Sequence, residues 1–120
     1  GWAEKIENYM SLAAYLTKQV KQEPTLELVL EPEFTNVCVR YAGHNLSSQS
    51  QDDITNQIRT EMFERGKFMV TKALIDHRPI LRPVIANPAV DQKSLDKFIS
   101  EITTIGARME AGRSSKTASP

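Results

Sequence analysis

Between Trp2 and Val20 the apolar residues Trp2, Ile6, Tyr9, Ala13, Leu16 and Val20 recur at alternating steps of four and three, and beyond Pro24 that period changes to two. The first spacing lines one face of a helix; the second sends successive side chains to opposite faces of a strand. Pro24 forces the change, because it lacks the N–H that a helix needs and restricts the residue before it to extended backbone. A helix is therefore expected over residues 2–22. Leu26, Leu28 and Leu30 alternate with Glu27 and Val29, a break follows at Glu31-Pro32-Glu33, and Val37, Val39 and Tyr41 alternate with Asn36, Cys38 and Arg40. Two strands joined by a short polar loop predict an antiparallel hairpin.

Residues 43–52 are polar and read as a surface loop that ends in a helix start, with Ser50 and Asp53 spaced as a capping box. Ile54, Ile58 and Met62 form the inward stripe of that helix, and Gly66 suits a left-handed stop. Residues 68–75 and 80–86 read as a second hairpin with its turn at His77-Arg78-Pro79. Asp91 then caps a last helix carrying Leu95, Phe98, Ile99, Ile102 and Ile105, with Gly106 near its end. The order helix, two strands, helix, two strands, helix predicts an α+β fold, a two-layer sandwich of three helices on a small, mostly antiparallel sheet. One domain is expected over residues 1–107, and the polar stretch 108–120 reads as a disordered tail.

Fifteen basic residues balance fifteen acidic ones, so the chain lacks the positive field that gathers nucleic acid or anionic lipid; neither partner is expected. No apolar run approaches the roughly 20 residues that cross a bilayer. A single cysteine, Cys38, rules out an internal disulfide and a multi-cysteine metal site, and a cytoplasmic setting fits it best. The sequence opens at Gly1-Trp2 with the helical pattern already running, and is expected to be a piece of a longer chain.

The sequence shows no glycine-rich phosphate loop, no paired cysteines and no His-x-x-x-His spacing, so nucleotide hydrolysis and metal catalysis lack their usual residues and no complete catalytic set is expected within it. His44 falls in the polar loop and His77 in a turn, where exposed imidazoles are expected. Cys38 reads as an inert thiol, with Arg40 taken to lie on the opposite face of the strand. Lys72 falls within a strand and is expected to run its stem along the sheet with its amine in water. Arg82 is the anomaly, a charge set among Leu81, Val84 and Ile85 just before Asn87-Pro88.

The stretch containing that arginine, ILRPVIANPAVDQKSLDKFISEITTIG (80–106), resembles the carboxy-terminal segment of the pyridoxal-phosphate-dependent group II amino-acid decarboxylases, especially the branch acting on glutamate and cysteine sulfinate. GWAEKIENYMSLAAYLTKQV resembles that family's helix linking the cofactor domain to the small domain, here residues 1–22, and LELVLEPEFTNVCVRY its first hairpin.

The resemblance implies the small carboxy-terminal domain of a fold-type I enzyme, packed on its own large pyridoxal-phosphate domain within a homodimer and acting on an amino-acid substrate. It implies that the cofactor-binding lysine, aspartate and ring-stacking residue belong to the large domain, so that this chain alone is inactive. It also aligns Arg82 with the arginine that binds the substrate α-carboxylate in several members. A guanidinium suits that task, since its planar fork can donate two parallel hydrogen bonds and stays charged. On spacing alone, Arg82 is expected to pair with an acidic neighbour at a sheet edge, and it is the resemblance that reverses that preference. Pro83, where relatives carry an ordinary apolar residue, places the strand at an edge or turns that position outward. A free-standing ligand-binding or protein-interaction domain would share the same element order.

Overall fold

The computed structural model describes residues 1–30, 35–66 and 70–118, with the backbone alone at 71, 72 and 114–118. The first helix, α1, forms over Trp2–Gln22 and ends on Glu23, whose backbone is extended as a residue before proline should be. Two short strands follow, β1 (Leu26–Leu28) and β2 (Val39–Tyr41), then α2 (Ser48–Arg65), β3 (Val70–Ile75), β4 (Arg78–Pro83) and α3 (Gln92–Ala118). The four strands make one antiparallel sheet in the order β1-β2-β4-β3. Three helices on a small antiparallel sheet match the α+β architecture read from the apolar periods.

The sheet buries one face against the helices. Val37, Val39, Tyr41 and Leu81 join Leu16, Val20, Ile54, Ile58, Met62, Phe98 and Ile102 in a single apolar cluster. Burying such side chains contributes about 1.5–3 kcal/mol each, which is what fixes strands this short in register. One polar residue is sealed into this layer: Thr55 on α2 accepts the Tyr41 backbone N–H at 3.2 Å. Ion pairs then clip the layers at the rim. Arg78 at the start of β4 reaches Asp52 at 2.9 Å and Gln51 at 2.8 Å, and Arg113 of α3 reaches Asp53 at 3.1 Å.

Several local expectations are corrected. The first turn of α2 is capped by Ser47, whose hydroxyl accepts the Ser50 N–H at 3.1 Å, so Ser50 stands inside the helix and not at its cap. The second hairpin turns at Asp76-His77, both in the left-handed region, with Arg78 already paired to Ile75 in the ladder. A two-residue turn of that kind matches the twist of the flanking strands, which the three-residue reading did not allow. β4 is an interior strand with β2 and β3 on either side, so the edge position that Pro83 suggested is not taken. Pro83 is tolerated as the last residue of β4, two positions beyond the Val39–Leu81 pairing with β2. The Glu31-Pro32-Glu33 break, the start of the 68–75 run and the Lys72 side chain lie outside the described residues.

The largest correction concerns the end of the chain. Residues 108–118, expected as a disordered tail, continue α3. Gly106 does not stop the helix; it is a contact point, where an added Cβ would stand 2.1 Å from Tyr41 Cε1. The glycine lets a fully buried tyrosine lie directly against the helix backbone. Met109 extends the apolar stripe of Phe98, Ile102 and Ile105 and packs on the core from beyond that notch.

Candidate functional site

Alternation along the strands decides what the second face of the sheet carries. With Val39 and Leu81 facing the helices as partners, their neighbours Cys38, Arg40, Ile80 and Arg82 face the other way. Cys38 and Arg40 therefore share this outer face, two residues apart on one strand, contrary to the expectation that separated them. Stepping one residue along the antiparallel register from Val39–Leu81 sets Cys38 opposite Arg82 and Arg40 opposite Ile80. An open cleft of about 400 Å³ lies here, lined by Leu30, Asn36, Cys38, Ile80, Arg82 and the β3 residues Ala73 to Ile75.

Arg82 is half-buried in this cleft, and among the described residues no hydrogen bond or ion pair engages its guanidinium. Its backbone is held from both sides, paired with Thr71 on β3 and flanked by the Leu81 link to β2. Such a group, fixed at its base and open at its tip, can receive a carboxylate through two parallel hydrogen bonds. Cys38 is buried beside it. Burial pushes the thiol pKa up, and the pull of the Arg82 guanidinium in the other direction does not overcome it. The thiol is held protonated, and a protonated thiol is a poor nucleophile. Arg40 is more deeply buried than Arg82 and does have a partner: its Nη1 lies 3.4 Å from Glu27 Oε1 on the neighbouring strand.

A second polar cluster sits at the far end of the inward face, built on residues that sequence reasoning left in a loop and a tail. Glu110 of α3 accepts the Tyr41 hydroxyl at 2.8 Å and the His44 backbone N–H at 2.9 Å, with His44 Nδ1 3.1 Å away. Burial works to raise the Glu110 pKa, but the hydrogen bonds from Tyr41 and from the backbone and ring of His44 outweigh it and hold the carboxyl below its ordinary range. Burial first, and then Glu110, push the Tyr41 phenol well above its own. The turn is shaped around the carboxylate: Gly43 and Asn45 are both left-handed, and a Cβ at Gly43 would stand 2.7 Å from Glu110 Oε1. The signal for this cluster was the step from Ile105 to Met109, which continues the helical stripe past Gly106. This arrangement ties α3 to the β2–α2 turn and has every acceptor used. His77, by contrast, is at an exposed hairpin tip.

No protein-family model matches the chain. Cysteine sulfinic acid decarboxylase of Mus musculus is 28% identical over 115 residues, a match covering 88% of this chain and 23% of that protein. Acidic amino acid decarboxylase GADL1 of Mus musculus is 26% identical over 120 residues, covering 91% of this chain and 22% of its own length. The crystal structure of mouse CSAD in apo form superposes with a TM-score of 0.76 at 28% identity, covering 86% of this chain and 24% of that one. The chain resembles the group II pyridoxal-phosphate-dependent amino-acid decarboxylases. A plant structure, Oryza sativa TDC with PLP and tryptamine, shares the fold at a TM-score of 0.80 and 19% identity, over 88% of this chain and 23% of its own. This decarboxylase-like chain thus spans about a quarter of the length of the relatives it matches.

The cleft on the outer face does not itself suit the cofactor that this likeness implies. Among the described residues its lining offers one guanidinium, one amide and one protonated thiol, with neither a lysine to bind an aldehyde nor a carboxylate to hold a pyridinium nitrogen. It suits a carboxylate.

Proposed function

We propose that this chain is the carboxy-terminal part of a pyridoxal-phosphate-dependent amino-acid decarboxylase, and that Arg82 holds the α-carboxylate of the substrate. The observation that carries this reading is Arg82 itself, set on an interior strand and open to the cleft with no ionic partner among the described residues. The likeness to cysteine sulfinic acid decarboxylase over most of the chain supports it from a second direction. Cofactor chemistry belongs to the longer protein, which supplies the electron sink that decarboxylation needs. The part played by this chain is binding and orientation. A carboxylate gripped by a planar fork cannot rotate freely, so the bond to be broken is kept at one angle, and positioning of this kind lowers the barrier without Arg82 taking part in bond breaking.

We read the outer sheet face as the surface that packs on the large domain, within a cytoplasmic homodimer. Two of its four central outward positions, Cys38 and Ile80, are apolar and buried, whereas a sheet face meant for water alternates to polar residues.

The test is Arg82→Lys and Arg82→Ala in the full-length protein. Loss of charged hydrogen bonds worth about 1.5–3 kcal/mol lowers kcat/KM by roughly 10- to 150-fold, with kcat falling as well as KM rising because orientation is lost together with binding, while the absorbance of bound cofactor is unchanged. Unchanged kinetics in Arg82→Ala would overturn the assignment. The 120-residue chain alone is expected to develop no bound-cofactor absorbance with added pyridoxal phosphate.

A further inference from the structure

Arg40 is a second guanidinium on the outer face, and neither the cleft nor the proposed reaction uses it. Its side chain is only 7% exposed, and its Nε is fully buried with no hydrogen-bond partner among the described residues. Its ionic contact among the described residues is long, 3.4 Å, and the Glu27 carboxylate that makes it is itself 45% exposed. A buried guanidinium carries five donors and a charge that is costly to remove from water, and one distant, half-solvated carboxylate does not offset that cost. A buried polar group left incomplete in this way calls for an acceptor from elsewhere.

Its place in the sheet says where that acceptor comes from. Arg40 points away from the helices, opposite Ile80 and next to the row that holds Cys38 and Arg82. Of its outward neighbours, Cys38 and Ile80 are apolar and Glu27 stands opposite on β1, while exposed Leu30 and Leu74 border the adjoining cleft. Among the described residues, two guanidiniums face outward from the central strands against the carboxylate of Glu27, so the covering surface is complementary when it is acidic. Most of the length of the related decarboxylases lies outside the match to this chain.

We propose that Arg40 is a docking anchor that receives an acidic side chain from the polypeptide preceding this domain in the full-length protein, one row away from the arginine that holds substrate. The inference rests on the reading of this chain as part of a longer decarboxylase, and it adds a contact that reading does not require. The anchored carboxylate completes the shell around Arg40, and its own desolvation is offset by the guanidinium it meets. Holding this row tightly also fixes β2, which stands directly beside Arg82.

The experiment uses full-length Arg40→Lys, which keeps the charge and introduces an amine that a zero-length carbodiimide can join to any carboxylate in contact with it. After proteolysis, mass spectrometry is expected to find that amine coupled to an Asp or Glu upstream of this domain in the same polypeptide. Coupling only to Glu27, Glu31 or Glu33, coupling to a second copy in a mixture of light and heavy protein, or no coupling overturns the proposal. Full-length Glu27→Gln gives an independent reading. With the outside carboxylate in place its urea midpoint stays near that of the parent, whereas a large drop means Glu27 is the sole counter-charge and overturns the proposal. Bound-cofactor absorbance and the KM of Arg82→Ala test the decarboxylase reading separately, since neither depends on where the amine couples.

Discussion

The two faces of this sheet are built from alternate residues of the same strands and have opposite characters. Inward, Val39, Tyr41 and Leu81 are sealed under three helices, and the polar groups that enter that layer, Thr55 and the Tyr41 hydroxyl, are each satisfied inside the chain. Outward, Arg82 has no partner among the described residues and Arg40 has only an incomplete one. The inward face is finished by this chain, whereas the outward face leaves its guanidiniums incompletely paired among the described residues. The two characters are set by a two-residue period, and substitutions on the two faces are expected to fail in different ways.

The largest loss is expected on the inward face. Phe98→Ala empties a fully buried site and is expected to cost about 3–5 kcal/mol, read from the urea midpoint of this chain. Gly106→Ala comes next. It drives a methyl into the Tyr41 ring and is expected to cost about 1–3 kcal/mol, while Tyr41→Leu in the same background recovers part of the loss. A null result for Gly106→Ala would show that the helix can slide away from the tyrosine.

Outer-face changes separate from these. Arg82→Ala should destabilise the chain less than Gly106→Ala does, because the half-buried guanidinium has no ionic partner among the described residues to lose, while carrying the kinetic loss described above. A midpoint shift as large as that of Gly106→Ala would erase the distinction between the faces.

The smallest effect is the acid limb of stability. Glu110 has its pKa depressed in the folded chain, so its contribution is fully present above the ordinary carboxylate value of about 4.3 and fades as pH falls through the lower folded value. Glu110→Gln keeps an acceptor for Tyr41 and removes the titration. The thermal midpoint of the parent is therefore expected to fall more steeply than that of the variant below about pH 4.

Much of the inward face was legible in the sequence, because burial writes itself as period: the Ala13, Leu16 and Val20 half of the α1 stripe, the alternation of β1 and β2 and the Asp91 cap of α3, whose carboxylate accepts the Ser94 N–H at 2.8 Å, could all be read off, whereas Trp2 and Ile6 at the start of that stripe stand exposed. Arg82 was legible as an anomaly for the same reason, a charge interrupting an apolar run. What escaped depended on pairing or on close approach. Nothing local distinguishes Ser47 from Ser50 as a cap, or shows that Asp76-His77 would adopt the left-handed turn usually given to Asn-Gly. Gly106 reads as punctuation until the tyrosine that occupies its missing side chain is seen. Glu110 was hidden by the same misreading, since a helix stopped at a glycine leaves no helix for it to sit on.

That glycine also sets where the domain can be cut. A boundary drawn at 107 would keep the notch for Tyr41 and discard the carboxylate that receives its hydroxyl, leaving a phenol wedged against the helix with its proton facing an empty corner. Expression boundaries that run through Arg113, whose grip on Asp53 closes the same end of the molecule, avoid that defect.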